Sequence, residues 1–359
     1  MMRFERREQL TAAGSLLPPI AAVAFTLLVG ALLVAWAGAP VGRSYALLLE
    51  GGFGSRFAVT ETLTRATPLI LTGLAAAVAF RARLYNIGAE GQLYLGALAA
   101  VAVGGLHGGE GLGWPPPWLL AAALLAAMAA GGALLAIPAW LKLRFAVDEV
   151  VTTLLLNFVV LLFVSAMLDG PMRDPTAMGW PQSVALDPAL ELSRLVPRTR
   201  LHTGIVIAIA VMLALEWVDR RTVFGFQMRA VGANARAARF LGLPVSRVLM
   251  ATALLSGALA GLAGFVEVAG RAGYLTLDMS PGYGYSGIVI AMLAGLSPLG
   301  VVAAAVFVAG ILVGADSMSR VVGVPTYLAD VIVAVALIAM LVATMLARYR
   351  IRRSAGSDR

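Results

Sequence analysis

WLLAAALLAAMAAGGALLAIPAWL, residues 118–141, runs 24 positions without a charged side chain. As a helix it would extend about 36 Å at 1.5 Å per residue, more than a hydrocarbon core of about 30 Å requires. Similar stretches recur along the chain, separated by short connections containing Arg, Pro or Gly. Their apolar positions are continuous in Leu, Ala and Val and do not alternate over ten-residue segments, so helices are expected and a strand barrel is not. Helices also pair every backbone group internally, as lipid demands.

Composition agrees. Of 359 residues 60% are hydrophobic and 13% charged, against roughly half and a quarter in soluble domains, so the apolar surplus must face lipid. The expected architecture is all-α: a polytopic transmembrane bundle of about ten helices in one domain, 1–359. The expected spans are Leu16–Ala37, Thr60–Phe80, Leu84–Leu106, Trp118–Leu141, Val150–Leu168, Thr203–Val218, Val248–Ala269, Tyr285–Leu296, Leu299–Met318 and Tyr327–Ala347. The first has basic residues ahead of it but no small-residue cleavage site, and reads as a retained helix. The eighth holds only about twelve residues before Ser297-Pro298-Leu299-Gly300, which fits either a half-helix at a transport route or a short tilted helix.

With the amino terminus in the cytoplasm, the inside segments hold 18 of the 27 basic residues, six of them arginines from Arg220 to Arg247. That bias places both termini in the cytoplasm, residues 219–247 inside and residues 169–202 outside. The net charge of +8 then reads as orientation and not as a nucleic-acid surface. Cysteine is absent, which excludes disulfides, thiolate catalysis and Cys-ligated metal. His107 and His202 fall in expected loops and read as solvated side chains. No metal site or cofactor is expected.

Polar residues inside apolar segments carry the most information. In NIGAEGQ, Asn86–Gln92, three polar side chains (Asn86, Glu90 and Gln92) enter a span. A carboxylate at that depth costs roughly 2.5 kcal/mol or more unless paired or wet. The readings are a helix pin or a water-lined path, the flanking Gly88 and Gly91 permitting close packing. Asn157 sits mid-span with Thr152 and Thr153 before it and needs a partner, whether protein, water or solute. These observations make Asn86, Glu90, Gln92, Thr153 and Asn157 the candidate pathway residues. Asp148 and Glu149 suit the start of their helix. Glu61/Arg65 and Glu267/Arg271 are i,i+4 pairs, and Asp316 and Asp330 lie near span ends. Scattered at span ends, the acidic residues do not form a proton relay.

In the cytoplasmic segment, Asn234-Ala235-Arg236-Ala237-Ala238-Arg239-Phe240-Leu241-Gly242-Leu243-Pro244 has the signals of a short helix. Asn234 is an N-cap, Gly242 suits a left-handed C′ position and Pro244 blocks continuation. Phe240 and Leu241 would offer an apolar knob beside Arg236 and Arg239, suited to a groove on a soluble partner or to lipid headgroups.

Ala237-Ala238-x-x-x-Gly242 resembles the cytoplasmic Glu-Ala-Ala-x-x-x-Gly loop by which permeases of ATP-binding-cassette importers engage their ATPases, with Arg236 in place of Glu. RAVGANARAARFLGL (229–243), NIGAEGQ with the following LYLGALAA (86–100), DEVVTTLLLNFVV (148–160) and GPMRDP (170–175) are similar, in that order, to the branched-chain amino acid, ribose and nucleoside permease group. The resemblance implies a permease subunit in a bacterial plasma (inner) membrane for nucleosides or simple sugars. It would be coupled to an ATPase through Arg236, Ala237, Ala238, Arg239, Phe240, Leu241 and Gly242. It also implies three partners: a separate ATP-binding subunit, a second related permease and an extracytoplasmic solute-binding lipoprotein, docked on residues 169–202. The only lysine, Lys142, lies outside any G-x-x-x-x-G-K-[ST] motif, so this chain is not expected to be an enzyme. A secondary transporter or channel would share the hydropathy but would not need the cytoplasmic helix.

Overall fold

The computed structural model describes residues 2–6, 12–107 and 109–323, and scattered positions from 325 to 353. Twelve helices occur among the described residues: α1 (Ala12–Trp36), α2 (Val41–Phe53), α3 (Arg56–Arg81), α4 (Ala89–Gly104), α5 (Pro116–Phe145), α6 (Glu149–Asp169), α7 (Gly204–Arg221), α8 (Val223–Ala233), α9 (Ala235–Phe240), α10 (Val245–Glu267), α11 (Tyr283–Leu293) and α12 (Pro298–Val322). A π-helical turn, Val268–Ala272, continues α10. A short antiparallel ribbon pairs Met2–Arg6 with Tyr349–Arg353. The chain is thus the expected all-α polytopic bundle. Five described helices, α3, α5, α6, α10 with its π turn, and α12, are long and apolar enough to cross a membrane, and α4 and α11 are shorter apolar helices. Most of the expected span Tyr327–Ala347, with Asp330, lies outside the described residues.

Two compact units are present, Met1–Val59 with Gly310–Arg359, and Thr60–Ala309. In the first, Val23–Trp36 and Val41–Phe53 form a pair bent by 116°. The bend falls at Gly38, whose φ is +76°, and at Pro40, which precedes α2. The Tyr45 hydroxyl bonds back to the Leu27 carbonyl across it. Helix α2 was missing from the expected spans because Arg43, Glu50 and its glycines interrupt the apolar pattern.

The second unit is built around α4, α5 and α10, whose contacts are backbone to backbone. A Cβ on Gly261 of α10 would lie 2.1 Å from the Ala127 carbonyl oxygen of α5, and one on Gly264 would lie 2.0 Å from the Leu93 carbonyl oxygen of α4. Small residues let helices in lipid approach until dispersion contacts become dense, the main attraction left where no hydrophobic force acts. The α5 helix enters with Pro116 at its first turn and ends at Ala146 in the left-handed region, with Lys142 and Arg144 complementing the carboxyl-terminal dipole.

The ends of this unit are distinguishable. At one end Arg81 pairs with Asp219, Lys142 pairs with Glu149, and Arg81 Nη2 donates to the Leu296 carbonyl at 2.7 Å. At the other, Arg200 meets Glu61 at 3.4 Å, and Leu186 N–H and Ser183 N–H donate to the carbonyls of Gly273 and Leu275 at 2.7 and 2.9 Å. The stretch from Gly273 to Leu296 therefore runs from one end to the other, irregular through Gly282 with a turn at Thr276–Met279, and helical only in α11. It is a half-helix preceded by an irregular limb, residues 273–282.

Replacing Gly261 by Ala is expected to lower thermal stability in detergent by about 1–3 kcal/mol, the usual penalty for overpacking. Gly42→Ala, at a helical glycine with nothing within 4 Å of the new Cβ, is expected to be neutral or stabilising by up to about 1 kcal/mol. Melting curves of the two variants check this.

Candidate functional site

Two helices of the second unit begin inside the bundle, and neither amino terminus is capped by its own N-cap side chain. Gly88 precedes α4 and Gly282 precedes α11, and both N-cap positions lack a side-chain cap. The first turns of a helix leave N–H groups that water cannot reach in such a place. Other segments supply the acceptors. Asn157 Oδ1 of α6 accepts from Gly91 N–H at 2.8 Å. Glu90 Oε2 accepts from Gly284 N–H at 2.6 Å, and Ser280 Oγ accepts from Tyr283 N–H at 2.9 Å. Glu90 thus sits in the first turn of α4 while capping the first turn of α11, where both dipoles favour a carboxylate.

The chain before α4 is not helical, contrary to the expected start at Leu84. Arg83 lies in the left-handed region at φ 55°, and Asn86 Oδ1 accepts from Gly88 N–H at 3.0 Å, a local turn that competes with helix. Asn86 and Gln92 exchange amide bonds in both directions, at 2.9 and 2.8 Å. Asn86 Nδ2 also reaches Ser256 Oγ of α10 at 3.1 Å, and Ser256 donates to the Ala75 carbonyl of α3 at 2.7 Å. Ile87 is held on both sides, its N–H by Thr153 Oγ1 at 3.3 Å and its carbonyl by Asn157 Nδ2 at 2.9 Å. All five candidate residues, Asn86, Glu90, Gln92, Thr153 and Asn157, are therefore in one buried knot.

Sequence reading did not select the partners. Thr72 Oγ1 donates to the Tyr283 carbonyl at 2.9 Å. Tyr94 donates to the Leu277 carbonyl at 2.5 Å and accepts from Ser280 N–H at 3.2 Å, and Tyr285 accepts from Asn157 Nδ2 at 3.1 Å. Threonine and serine in a helix ordinarily bond to their own preceding turn, as Thr72 also does to Pro68. Nothing local marks those that reach across.

Around the knot, Asp148 caps α6 as expected, accepting from Val150 N–H at 2.8 Å. Glu149 has another task, pairing with Lys142 and accepting from Tyr85 N–H at 3.3 Å. The Glu267–Arg271 pair forms at 2.5 Å. His202 is corrected: it is buried and not solvated, with its ring against Gly204 and Gly270, where a Cβ would come within 2.6 and 2.3 Å of it. Its Nδ1 accepts from Gly204 N–H at 3.1 Å. Desolvation lowers its pKa to about 4. Residues 169–202 are an ordered cap and not a loose loop. Asp174 gathers Thr176 and Gln182, which hold its carboxyl below the usual range, and Leu190 is buried.

The short capped helix is present as α9. Asn234 Oδ1 accepts from Arg236 and Ala237 N–H at 3.0 and 3.1 Å. At its other end Leu243 N–H bonds to the Ala238 carbonyl and Gly242 N–H to that of Arg239, with Gly242 at φ +79°. That is a Schellman closure. Phe240 and Leu241 are 91% and 76% exposed.

Asn157→Leu strands Gly91 N–H and the Ile87 carbonyl, at about 1–3 kcal/mol for each group left buried and unpaired. A clear fall in melting temperature is expected, whereas Thr152→Val, whose hydroxyl bonds only to the Asp148 carbonyl among the described residues, should change stability by less than about 0.5 kcal/mol. For His202 the folded pKa lies below the unfolded one, so its contribution is full above about pH 6.5 and is lost as pH falls toward 4. Melting temperatures of native chain and His202→Gln should accordingly converge between pH 7.5 and 5.

Residues 58–341 match the family of branched-chain amino acid transport system permease components. The guanosine ABC transporter permease protein NupP of Bacillus subtilis is 37% identical over 325 residues, covering 89% of this chain and 91% of that one. The glucose ABC transporter permease protein TsgB13 of Haloferax volcanii is 38% identical, covering 93% and 89%. The nucleoside ABC transporter permease protein NupB of Lactococcus lactis is 30% identical, covering 89% and 88%. This chain, a multi-pass membrane protein whose broken span is held by a buried polar knot, belongs to the permease components of branched-chain amino acid type ABC transport systems.

Proposed function

We propose that this permease is one of two related membrane subunits of a bacterial plasma-membrane importer. It would carry nucleosides inward, with ATP hydrolysed on a separate subunit and solute delivered by an extracytoplasmic binding lipoprotein. The nucleoside assignment rests on the relatives, two of the three compared being guanosine or nucleoside permeases. The observation that carries the coupling is α9. An apolar pair, Phe240 and Leu241, stands out from a face bearing Arg236 and Arg239, the form of a knob for a groove on a soluble partner.

The helix is mechanically tied to the transport unit. A Cβ on Gly232 of α8 would lie 1.8 Å from the Arg81 carbonyl oxygen, so α8 rests directly on the end of α3. Arg229 of α8 and Arg81 of α3 share the Asp219 carboxylate. Arg81 in turn holds the Leu296 carbonyl at the foot of the broken span. A push on α8 and α9 would therefore reach the turn below α11, the half-helix whose upper end is held by Glu90. In this reading Asn86, Glu90, Gln92, Thr153 and Asn157 fix the wall of the pathway at the point where helix gives way to irregular chain. The side carrying α9 would be cytoplasmic, with both termini on it and residues 169–202 outside.

The test is ATP-dependent uptake of labelled guanosine into proteoliposomes holding the four components, comparing native α9 with Phe240→Asp plus Leu241→Asp. Uptake should fall at least about tenfold, the equivalent of about 1.4 kcal/mol or more, with the membrane subunits still assembled. Uptake that ignores ATP and survives the change would refute the coupling.

A further inference from the structure

A cavity of about 550 Å³ opens at the end of the bundle that carries residues 169–202, and its lining includes Trp180, Arg200, Glu267, Arg271, Tyr274 and Asp278. That volume falls within the roughly 300–1,000 Å³ of small-ligand sites. Thr276, Asp278 and Met279 of the irregular limb also line it, and the next residue, Ser280, already belongs to the knot through Tyr94. The cavity therefore opens directly above the broken span. Arg271 connects the two, meeting Glu267 at 2.5 Å and the hydroxyl of Tyr283, the first residue of α11, at 3.5 Å.

The chemistry of the lining is selective. Its charged residues are two cations, Arg200 and Arg271, and two anions, Glu267 and Asp278, so the lining is neutral overall. Arg200 and Arg271 are already engaged by Glu61 and Glu267, which leaves little to offset the charge of a phosphate. The Asp278 carboxylate, by contrast, makes no hydrogen bond or ion pair among the described residues. It can accept from two adjacent hydroxyls of one solute. One carboxylate oxygen of Glu61, buried beside Arg200, also lacks a hydrogen-bond partner among the described residues. Trp180 is 61% exposed and Tyr274 39%, so two aromatic faces are free to stack on a planar ring.

We infer that this cavity is a solute-binding vestibule for an uncharged nucleoside, with Trp180 stacking on the base and Asp278 accepting from the sugar hydroxyls. Phosphorylated nucleotides are excluded by the neutral lining. The inference rests on the importer reading above and specifies where the permease itself holds the solute. Both key side chains are exposed, so replacing them perturbs little of the packing.

The permease in nanodiscs, titrated with guanosine, guanosine monophosphate and glucose, separates the cases by tryptophan fluorescence. Guanosine should quench saturably a component that Trp180→Phe removes, and Asp278→Asn should weaken that binding at least tenfold. The monophosphate and glucose should give no saturable signal over the same range. In the reconstituted importer, Trp180→Ala and Asp278→Asn should each cut guanosine uptake at least tenfold at saturating loaded binding protein, with the four components still assembled. Absence of quenching by guanosine, equal binding of the monophosphate, or native uptake by both variants would overturn the vestibule. Loss of ATP-dependent uptake in the native importer would instead refute the importer reading.

Discussion

A backbone N–H or carbonyl in hydrocarbon has no water to bond, so helix can stop at depth only where side chains replace the missing partners. This chain stops helix twice inside the second unit, before α4 and before α11. The knot answers both interruptions. Asn157, Glu90, Ser280, Thr153 and Tyr94 each bond a backbone group that a continuous helix would have paired. Asn86 and Gln92, bonded mainly to each other, keep the turn before α4 closed. The rest of the second unit is arranged to bring these side chains within reach.

Close packing is what brings them there. Helices α4, α5 and α10 touch through glycine backbone, which sets α10 near enough for Ser256 to join the knot from one side. On the other side Gly284 leaves room for α11, since a Cβ there would lie 2.2 Å from Glu90 N. Such contacts have few adjustable atoms, so the half-helix is held firmly at its upper end. Its lower end turns through Gly295 and Leu296, both at positive φ, and is held by the single guanidinium of Arg81. The broken span thus has one rigid attachment and one attachment shared with the segment that presents α9.

Much of this was legible in the amino-acid sequence, for reasons that differ by element. Long runs such as residues 118–141 admit only a membrane helix. Asn86, Glu90, Gln92 and Asn157 stood out because polar groups in apolar segments are costly and must have a partner. The caps of α9 were readable because N-cap and C′ chemistry is local. What sequence missed is non-local or ambiguous in composition. The apolar pattern of α2 is interrupted by Arg43, Glu50 and glycines, and α8 hides in the arginine-rich segment. The burial of His202 depends on Gly270, 68 positions away. Thr72, Tyr94 and Tyr285 look like ordinary helix residues until α11 is set beside them, and Trp180 and Asp278 line one cavity only because the ordered cap lies above the irregular limb.

The absence of native cysteine makes the broken span directly testable. Single replacements Asp278→Cys and Ser297→Cys in the full chain can be probed with a membrane-impermeant maleimide in right-side-out and inside-out vesicles. A crossing made of an irregular limb and a half-helix requires Asp278→Cys to label only from the side bearing residues 169–202, and Ser297→Cys only from the side bearing α9. Labelling of both from one side would make the segment a re-entrant loop and would contradict the structure described.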